Sequence, residues 1–107
     1  MTYSISSSLL TASVKKTGIE LCSVKSKATG IEYVWQADPT IWASHAPVLF
    51  PIIGALKNGR YRFDGEIYEL PKHGFVRYND ATELIRQTDD TLLFSLFWND
   101  DSFKNYF

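Results

Sequence analysis

Cysteine and histidine, the residues that build most metal sites and disulfides, are scarce in this sequence. Its 107 residues include one cysteine and two histidines. A single cysteine excludes an intrachain disulfide and favours a reducing compartment. Cys22, His45 and His73 show no ligand spacing such as HxxxH or CxxC, so we expect no metal site. Cys22 lies in an apolar alternation, where we expect a buried structural thiol and not a nucleophile.

Charge of one sign and long hydrophobic runs are also lacking. The net charge is −1 with a pI near 6.1, and the basic residues are scattered, which argues against a nucleic-acid surface. No apolar stretch approaches the length of a membrane span, and the opening "MTYSISSSLL" lacks the basic and apolar regions of a secretory signal. We therefore expect a cytoplasmic protein that binds neither nucleic acid nor membrane.

What the sequence does contain is a period of two almost everywhere, which indicates β-strands. Hydrophobic residues make up 45% of the chain, enough for one modest core in a single domain. The stretch "GIELCSVKSKATGIEYVWQ" predicts a strand, a turn ending in Gly30, and a second strand from Ile31 to Trp35. Further on, "TELIRQTDDTLLFSLFW" predicts a hairpin that turns at Asp89-Asp90.

The strongest turn signal is Asp64-Gly65 in "RYRFDGEIYEL", because a type I′ turn needs positive φ at both central residues. This turn fixes the predicted cross-strand pairs: Phe63 with Glu66, Tyr61 with Tyr68, and Arg60 with Glu69. Only the end, "DDSFKNYF", looks helical, with Asp100 or Asp101 as its N-cap. The pattern predicts an all-β chain built from antiparallel hairpins.

Between the first two hairpins, "ADPTIWASHAPVLFPIIGALKNG" does not behave like a strand. Two prolines bracket the apolar run Val48-Leu49-Phe50, and proline cannot donate to a sheet ladder. We expect a buried and irregular connection over residues 37–59, named here the crossing segment. Its histidine, His45, is expected to be a core residue whose side chain is satisfied by backbone groups.

The octapeptide "LPKHGFVR", residues 70–77, raises the question of chemistry. His73 directly follows the second hairpin and precedes Gly74. By itself the stretch favours an ordinary turn residue, because histidine is tolerated in many turns and the glycine supplies backbone freedom. The alternative is a ligand-contacting side chain presented at a strand end. No Ser/His/Asp elbow, phosphate-binding glycine loop or dinucleotide fingerprint accompanies it.

Three blocks follow one another along the chain: "GIELCSVKSKATGIEYVWQADPTIW", "HAPVLFPIIGALKNGRYRFDGEIYELPKHGFVR" and "ELIRQTDDTLLFSL". In this order they resemble the aldose 1-epimerase (galactose mutarotase-like) family, and within it the LacX-type branch of sugar mutarotases. The resemblance extends from about Ile19 to Phe107, and "HGF-x-R" and "LFP-x-x-G" are its most specific parts. It implies an antiparallel β-sandwich, the galactose mutarotase-like supersandwich, of which residues 1–107 form a single N-terminal part.

The resemblance also implies an isomerase that interconverts the α and β anomers of a hexose or hexose phosphate. A base takes the proton of the anomeric hydroxyl while an acid protonates the ring oxygen, and no cofactor is required because both steps are proton transfers. His73 matches the family's sugar-contacting histidine, Gly74 would keep the backbone clear of the sugar, and Arg77 would contribute a planar set of donors. Phe50, Phe75 or a neighbouring tryptophan would pack on the sugar's apolar face. For Arg77 a surface ion pair is the open alternative.

Two departures from the family pattern limit these implications. Relatives commonly carry arginine after the glycine of "FP-x-x-G", where this chain has Ala55, and nothing in the sequence shows that Lys57 or Arg60 replaces it. The family's general acid histidine and carboxylate base lie beyond the last residue, Phe107, so no catalytic residue is assigned. The leading hypothesis is an aldose 1-epimerase-like sugar mutarotase, and the alternative is a non-catalytic carbohydrate-binding or structural β-module.

The length of the chain leads to a last expectation. Part of a sandwich leaves an apolar sheet face uncovered, and such faces drive association. The chain is then a fragment, a naturally short homologue that associates with itself, or a small stand-alone β-domain. We expect self-association through the uncovered face. A protein-interaction domain that uses exposed sheet edges is a further hypothesis, but no motif supports it.

Overall fold

The computed structural model describes residues 1–97, 103–104 and 106, and it is built from antiparallel β-strands. The seven strands are β1 (Thr2–Ser6), β2 (Leu10–Lys15), β3 (Glu20–Ser26), β4 (Arg60–Phe63), β5 (Glu66–Glu69), β6 (Glu83–Gln87) and β7 (Leu92–Ser95). They form one three-stranded sheet, β1-β2-β3, and two hairpins, β4-β5 and β6-β7. The prediction of an all-β, antiparallel chain is confirmed. The predicted terminal helix with its Asp100 or Asp101 cap lies mostly outside the described residues.

The β4-β5 hairpin follows directly from its turn residues. Asp64 and Gly65 have φ values of 49° and 79°, so both central positions adopt the left-handed conformation that a type I′ turn requires. The cross-strand partners are those predicted, Arg60 with Glu69, Tyr61 with Tyr68 and Phe63 with Glu66. This hairpin ends one residue before Leu70, and it therefore fixes where the octapeptide containing His73 begins.

The first sheet differs from the predicted one in two ways. Its β1 and β2 strands lie in the serine-rich start of the chain, where no strand was predicted. Conversely, the strand predicted over Ile31 to Trp35 does not form, and Glu32 makes only an isolated bridge to Lys25. The Glu32 side chain explains this, because its Oε1 accepts the backbone N–H groups of Val24 at 2.9 Å and Val34 at 3.1 Å. The Glu32 carboxylate therefore accepts backbone N–H groups that would otherwise be available to a regular ladder of strand hydrogen bonds.

The third predicted hairpin is present, with β6 and β7 joined around Asp89-Asp90. The Thr88 N–H donates to the Thr91 carbonyl at 2.9 Å and closes the loop. The Asp90 side chain accepts both flanking threonine hydroxyls at 3.0 Å. Turn chemistry thus located two of the hairpins correctly.

The crossing segment is irregular, as predicted, but the prediction that it is buried is wrong. Two of its isoleucines, Ile41 and Ile53, are 73% and 82% exposed. Among the described residues, the buried hydrophobic core consists of Leu70, Val76 and Phe103. The apolar run is therefore displayed on the surface, because no second layer of the described chain covers it. No helix among the described residues is long and apolar enough to cross a membrane.

Candidate functional site

His73 occupies the third position of a tight turn that begins at Pro71. The Gly74 N–H donates to the Pro71 carbonyl at 2.9 Å and closes this turn. The φ of His73 is 65°, in the left-handed region that a residue with a side chain seldom adopts. Such a conformation persists only where surrounding contacts hold it, and it is found preferentially at ligand-binding and active sites.

Two hydrogen bonds to one residue hold His73 in place. Its N–H donates to the Gly54 carbonyl at 2.9 Å, and its ring Nδ1 accepts the Gly54 N–H at 2.8 Å. Because Nδ1 is an acceptor, the proton of the neutral ring lies on Nε2. The half-buried ring therefore carries its one N–H donor on the nitrogen that Gly54 does not use.

Burial and two neighbouring positive charges keep the His73 ring neutral. Burial lowers the pKa of His73 from its ordinary value of 6.5, and the positive charges of Arg77 and Lys72 lower it further. Protonation at Nδ1 would also set two donors, the ring and the Gly54 N–H, against each other. Near neutral pH, His73 is thus a neutral donor at Nε2 and not a cation.

Gly74 has a structural reason to be glycine. A Cβ built on it would lie 1.8 Å from the Phe50 carbonyl oxygen, and its own φ is 76°. Gly74 forms a parallel bridge with Phe50, and the Phe75 N–H donates to the Phe50 carbonyl at 3.0 Å. In the structure, Gly74 therefore allows the turn to lie against the crossing segment. Its predicted contact with a sugar stays a prediction.

Arg77 lies at the other end of the block, held by two contacts. Its Nη2 donates to the Lys72 carbonyl at 3.3 Å, and its guanidinium lies 4.6 Å from the centre of the Tyr78 ring. Its backbone is fixed from behind by Gly18, where a Cβ would lie 2.2 Å from the Arg77 carbonyl oxygen. The structure thus brings Arg77, Lys72 and His73 into one small region.

A short 3₁₀ turn, Thr17–Ile19, secures this region from the first sheet. The Gly18 N–H donates to the Asn79 carbonyl at 2.9 Å, and the fully buried Thr82 donates its hydroxyl to the Lys16 carbonyl at 2.6 Å. Lys16 Nζ donates to the Asp80 carbonyl at 2.9 Å. Residues 16–18 therefore position the chain that follows Arg77.

Aromatic rings surround Phe75. It meets Phe50 edge-on at 6.2 Å, stacks on Tyr106 at 5.0 Å and lies tilted against Phe103 at 5.0 Å. Phe50 is 55% exposed. Of the two phenylalanines expected to meet a sugar, Phe50 is thus the more accessible and Phe75 is the more engaged with other rings.

Cys22 and His45 lie away from this arrangement. The half-buried Cys22 thiol donates to the Ser13 carbonyl at 3.4 Å, and burial raises its pKa, which makes it a weak nucleophile near neutral pH. His45 corrects its prediction. Its backbone N–H donates to Glu20 at 2.7 Å, but its buried Nδ1 has no hydrogen-bond partner among the described residues. Among the described residues, the backbone therefore leaves this ring nitrogen without a hydrogen bond.

Glu20 anchors the crossing segment to β3. The carboxylate is almost fully buried, accepts the His45 N–H and forms an ion pair with Lys15. Burial alone would raise the pKa of Glu20, but these hydrogen bonds outweigh burial and leave the pKa below its usual range. In the described parts of the chain, no three histidine, cysteine or acidic side chains come together as a metal site would need.

Sequence analysis missed three residues of this region. Gly54 was assigned no role of its own, although it makes both hydrogen bonds to His73; its place in "LFP-x-x-G" was the available signal. Gly18 gave no sequence signal, since its contact with Arg77 spans the fold. Lys72 was visible only as the neighbour of His73.

The sequence left open whether Lys57 or Arg60 replaces the arginine that is missing at Ala55. Lys57 lies in a 3₁₀ turn at Lys57–Gly59, and Arg60 lies at the start of β4. Neither is among the charges that act on His73.

Comparison with known proteins extends over nearly the whole chain. No family model matches the sequence. The plasmid and chromosomal LacX proteins of Lactococcus lactis are each 37% identical over 116 residues, covering 99% of this chain and 36% of their own length. The chain thus spans about a third of the curated relatives it matches.

Solved structures agree with this relation. A galactose mutarotase related enzyme from Lactobacillus acidophilus superimposes with a TM-score of 0.93 at 42% identity, covering 99% of this chain and 35% of that one. A galactose mutarotase-like protein from Lactobacillus casei gives a TM-score of 0.91 at 34% identity, covering 98% and 35%. The predicted galactose mutarotase-like fold is confirmed. In sequence and in fold together, the chain is similar to galactose mutarotase-like proteins, and it matches the LacX proteins over about a third of their length.

Proposed function

We propose that this chain supplies the sugar-contacting histidine region of an aldose 1-epimerase-like mutarotase that acts on a hexose. The observation that carries the proposal is the geometry of His73. A strained backbone conformation, two hydrogen bonds to Gly54 and a neutral ring together present one N–H donor at Nε2. A neutral donor of fixed orientation suits an uncharged acceptor such as a sugar hydroxyl or ring oxygen.

In the proposed reaction a base removes the proton of the anomeric hydroxyl, and an acid protonates the ring oxygen as the bond from C1 to that oxygen breaks. The open aldehyde rotates about its C1–C2 bond and recloses, which inverts the anomeric centre and returns both protons. His73 donates a hydrogen bond that holds the sugar in place. No acid or base is assigned within this chain.

A second candidate is a non-catalytic carbohydrate-binding or structural β-module. Two observations favour it. Ala55 stands where the resemblance leads one to expect arginine, and the charges of the described residues that act on His73 are both positive. A cytoplasmic location is part of either proposal, because a single cysteine forms no intrachain disulfide and suits a reducing compartment.

Two measurements on the same preparation test the proposal. NMR chemical-shift titration with glucose or galactose should perturb His73, Gly54 and Gly74, with saturation in the millimolar range typical of small polar ligands. Polarimetry should show little or no acceleration of mutarotation over buffer, because loss of a positioned acid or base removes about 10² to 10⁴ in rate. Absence of binding to any hexose would overturn the proposal, and substantial catalysis would show that an acid–base pair is present in this chain after all.

A further inference from the structure

The charged side chains of the β4-β5 hairpin are sorted by strand. β4 carries two basic residues, Arg60 and Arg62, and β5 carries two acidic residues, Glu66 and Glu69. All four are exposed. Among the described residues, the one ion pair within 4 Å lies in the first sheet, so no ion pair there neutralises a charge of the hairpin. The hairpin therefore presents one positive strand and one negative strand.

Both strands of this hairpin also direct backbone groups outward. The Leu70 N–H donates to the Gly59 carbonyl at 3.0 Å, which continues the ladder one pair beyond the hairpin. Inward and outward backbone groups alternate along a strand, so those of Arg62 on β4 and of Ile67 and Glu69 on β5 point away from the partner strand. In the described chain, no backbone group outside the hairpin is hydrogen-bonded to the backbone of these three residues. Each strand thus has an edge that can accept a further strand.

A second hairpin can join this edge in the register that the first one already has. When β4 of another copy lies antiparallel beside β5, the outward groups of its Arg62 face those of Ile67, and its Arg60 carbonyl faces the Glu69 N–H. The Arg60 N–H is not needed, because it donates to the Lys57 carbonyl. The cross-strand partners are those observed within one hairpin, Arg62 with Ile67 and Arg60 with Glu69. This register sets Glu69 opposite one arginine and diagonal to a second on the same face.

Charge decides which two edges can meet. Two β4 strands bring only basic side chains together, and two β5 strands bring only acidic ones, and like charges set opposite each other are destabilising. A β4 strand beside a β5 strand is the combination in which opposite charges meet. Charged edge strands usually protect a sheet against pairing. On this hairpin they oppose the two symmetric pairings and leave the asymmetric one open.

Apolar surface adds to this contact. Ile67 is 57% exposed, although it lies in the middle of a face whose other members are charged. In the added pairing it lies against the aliphatic part of Arg62 of the next copy, which covers apolar surface while the guanidinium stays in water. On the opposite face, Tyr61 and Tyr68 stack at 5.4 Å within one hairpin, and the same register brings Tyr61 of the next copy beside Tyr68.

We propose that the β4-β5 hairpin is a self-association edge, in which β4 of one copy pairs antiparallel with β5 of another. The occupant is a second copy because this chain itself supplies the basic strand and the acidic strand in matching register. The contact joins two different surfaces, so it continues from copy to copy and does not close at a dimer. It does not involve His73, and its test is therefore independent of the proposed function.

Cysteine cross-linking between copies tests the register. Arg62→Cys and Ile67→Cys are made as separate proteins in a Cys22→Ala background, so neither protein contains an internal pair of thiols. In the proposed pairing their Cα atoms lie about 5.5 Å apart, within the range of a disulfide. Gentle oxidation of the mixture should give the mixed dimer several times faster than either protein dimerises with itself. Ile67→Cys mixed with Arg86→Cys, on the exposed surface of β6, is the matched control. A rate equal to that of the control would overturn the pairing.

Charge reversal tests the electrostatic part. Arg60→Glu with Arg62→Glu makes both strands acidic, and Glu66→Lys with Glu69→Lys makes both strands basic. At equal concentration, each variant alone should sediment as a smaller species than the unsubstituted chain. A mixture of the two should recover association, because the acidic hairpin then meets a basic one. The association of the unsubstituted chain should weaken as salt rises from about 0.05 M to about 0.5 M, since exposed charges are screened.

A control reversal separates the hairpin from the net charge of the chain. Lys25→Glu with Lys27→Glu changes the net charge as much as the β4 reversal does, but at the end of the first sheet, and it should leave association unchanged. Equal loss of association in this control would overturn the assignment to the hairpin. Thermal melting confirms that each variant is folded. A mixture of folded acidic and basic variants that stays dissociated would overturn the proposal, and the cysteine pair tests it without any charge reversal.

Discussion

His73 joins two loops through both its backbone and its ring. The ring contact depends on the protonation state of the imidazole. The Gly54 N–H needs an acceptor, which Nδ1 provides while the imidazole is neutral. The side chain therefore contributes to the turn and, in the proposed function, to the ligand. A test of its part in binding must separate these two contributions.

Two substitutions of His73 separate them. His73→Ala removes the acceptor and places an alanine at positive φ, so it should lower the melting temperature of the chain. His73→Asn removes the imidazole but tolerates the left-handed conformation, and it should melt between His73→Ala and the unsubstituted chain. Both variants should lose sugar-dependent shifts in NMR titration. Sugar binding that persists in His73→Asn would show that the ring is a structural contact only.

The pH dependence of stability has a defined sign. The pKa of His73 is lowered on folding, so below 6.5 the unfolded chain takes up a proton that the folded chain still excludes. The contribution of His73 is fully present above 6.5 and is lost as pH falls through the lowered pKa. Urea denaturation across this interval should therefore give a midpoint that falls with pH.

The same series in His73→Asn is the control for that slope. Carboxylates with lowered pKa, such as Glu20 and Glu32, contribute their own loss of stability only in more acidic solution, below 4.5. The slope between neutral pH and that range should thus shrink in the variant. A slope of equal size in both proteins would contradict the assignment to His73.

The family resemblance singled out His73 as a candidate sugar contact, but the hydrogen bonds of His73 could not be predicted from the sequence. Histidine followed by glycine in a turn is compatible with many surface loops, and nothing local identifies a partner. The partner, Gly54, is 19 residues earlier in the chain, on an irregular segment. Contacts of this kind depend on how two loops pack, which no local pattern encodes.

At the scale of elements, the site is a junction between the crossing segment and the turn after β5. The backbones of Phe50 and Gly74 run parallel and touch, and Gly54 and His73 exchange two hydrogen bonds. Such close approach is possible only where one residue has no side chain. The junction should therefore be the most sensitive part of the chain to added atoms.

A pair of glycine substitutions tests this. Gly74→Ala drives a Cβ into the Phe50 carbonyl, and it should cost more than about 3 kcal/mol in the free energy of unfolding. Gly65→Ala has a similar positive φ but open space around it, so it should cost only about 1 kcal/mol. Urea titration followed by circular dichroism compares them. Equal costs would show that backbone conformation, and not the Phe50 contact, decides the choice of glycine.

Elements were predictable where local chemistry decides them. Asp64-Gly65 closes its hairpin in the expected register because the turn conformation leaves little choice. The strand expected from Ile31 failed because the Glu32 carboxylate captures backbone donors, a contact that residue preferences do not include. Strands β1 and β2 were missed because serines interrupt the apolar alternation that marks a strand.

At the scale of the whole molecule, the chain is more extended than its length requires. Its radius of gyration is 16.7 Å, where a compact domain of this size has about 13 Å. The three sheets have separate ladders, and two of them are two-stranded hairpins, which are marginal by themselves. The first sheet and the β6-β7 hairpin are joined by hydrogen bonds from the Ser6 N–H to the Asp89 carbonyl and from the Gln87 side-chain amide to the Ser4 carbonyl. The small core of the described residues agrees with both observations. Burial of the exposed apolar side chains would therefore require a further layer of protein.

We propose that a second copy of the chain provides that layer, as the sequence analysis expected. Exposed isoleucine and phenylalanine side chains favour burial at about 25 cal/mol per Å², and a stable interface needs about 1,000 Å² or more in total. Light scattering with size-exclusion chromatography should show a mass that rises above 12.2 kDa with concentration. The double variant Ile41→Lys, Ile53→Lys should reduce this association, since it places charge on the exposed crossing segment. Leu9→Lys, equally exposed but at the β1-β2 turn, should leave association unchanged. A stable monomer at high concentration that unfolds cooperatively would contradict the proposal, because the described core would then suffice by itself.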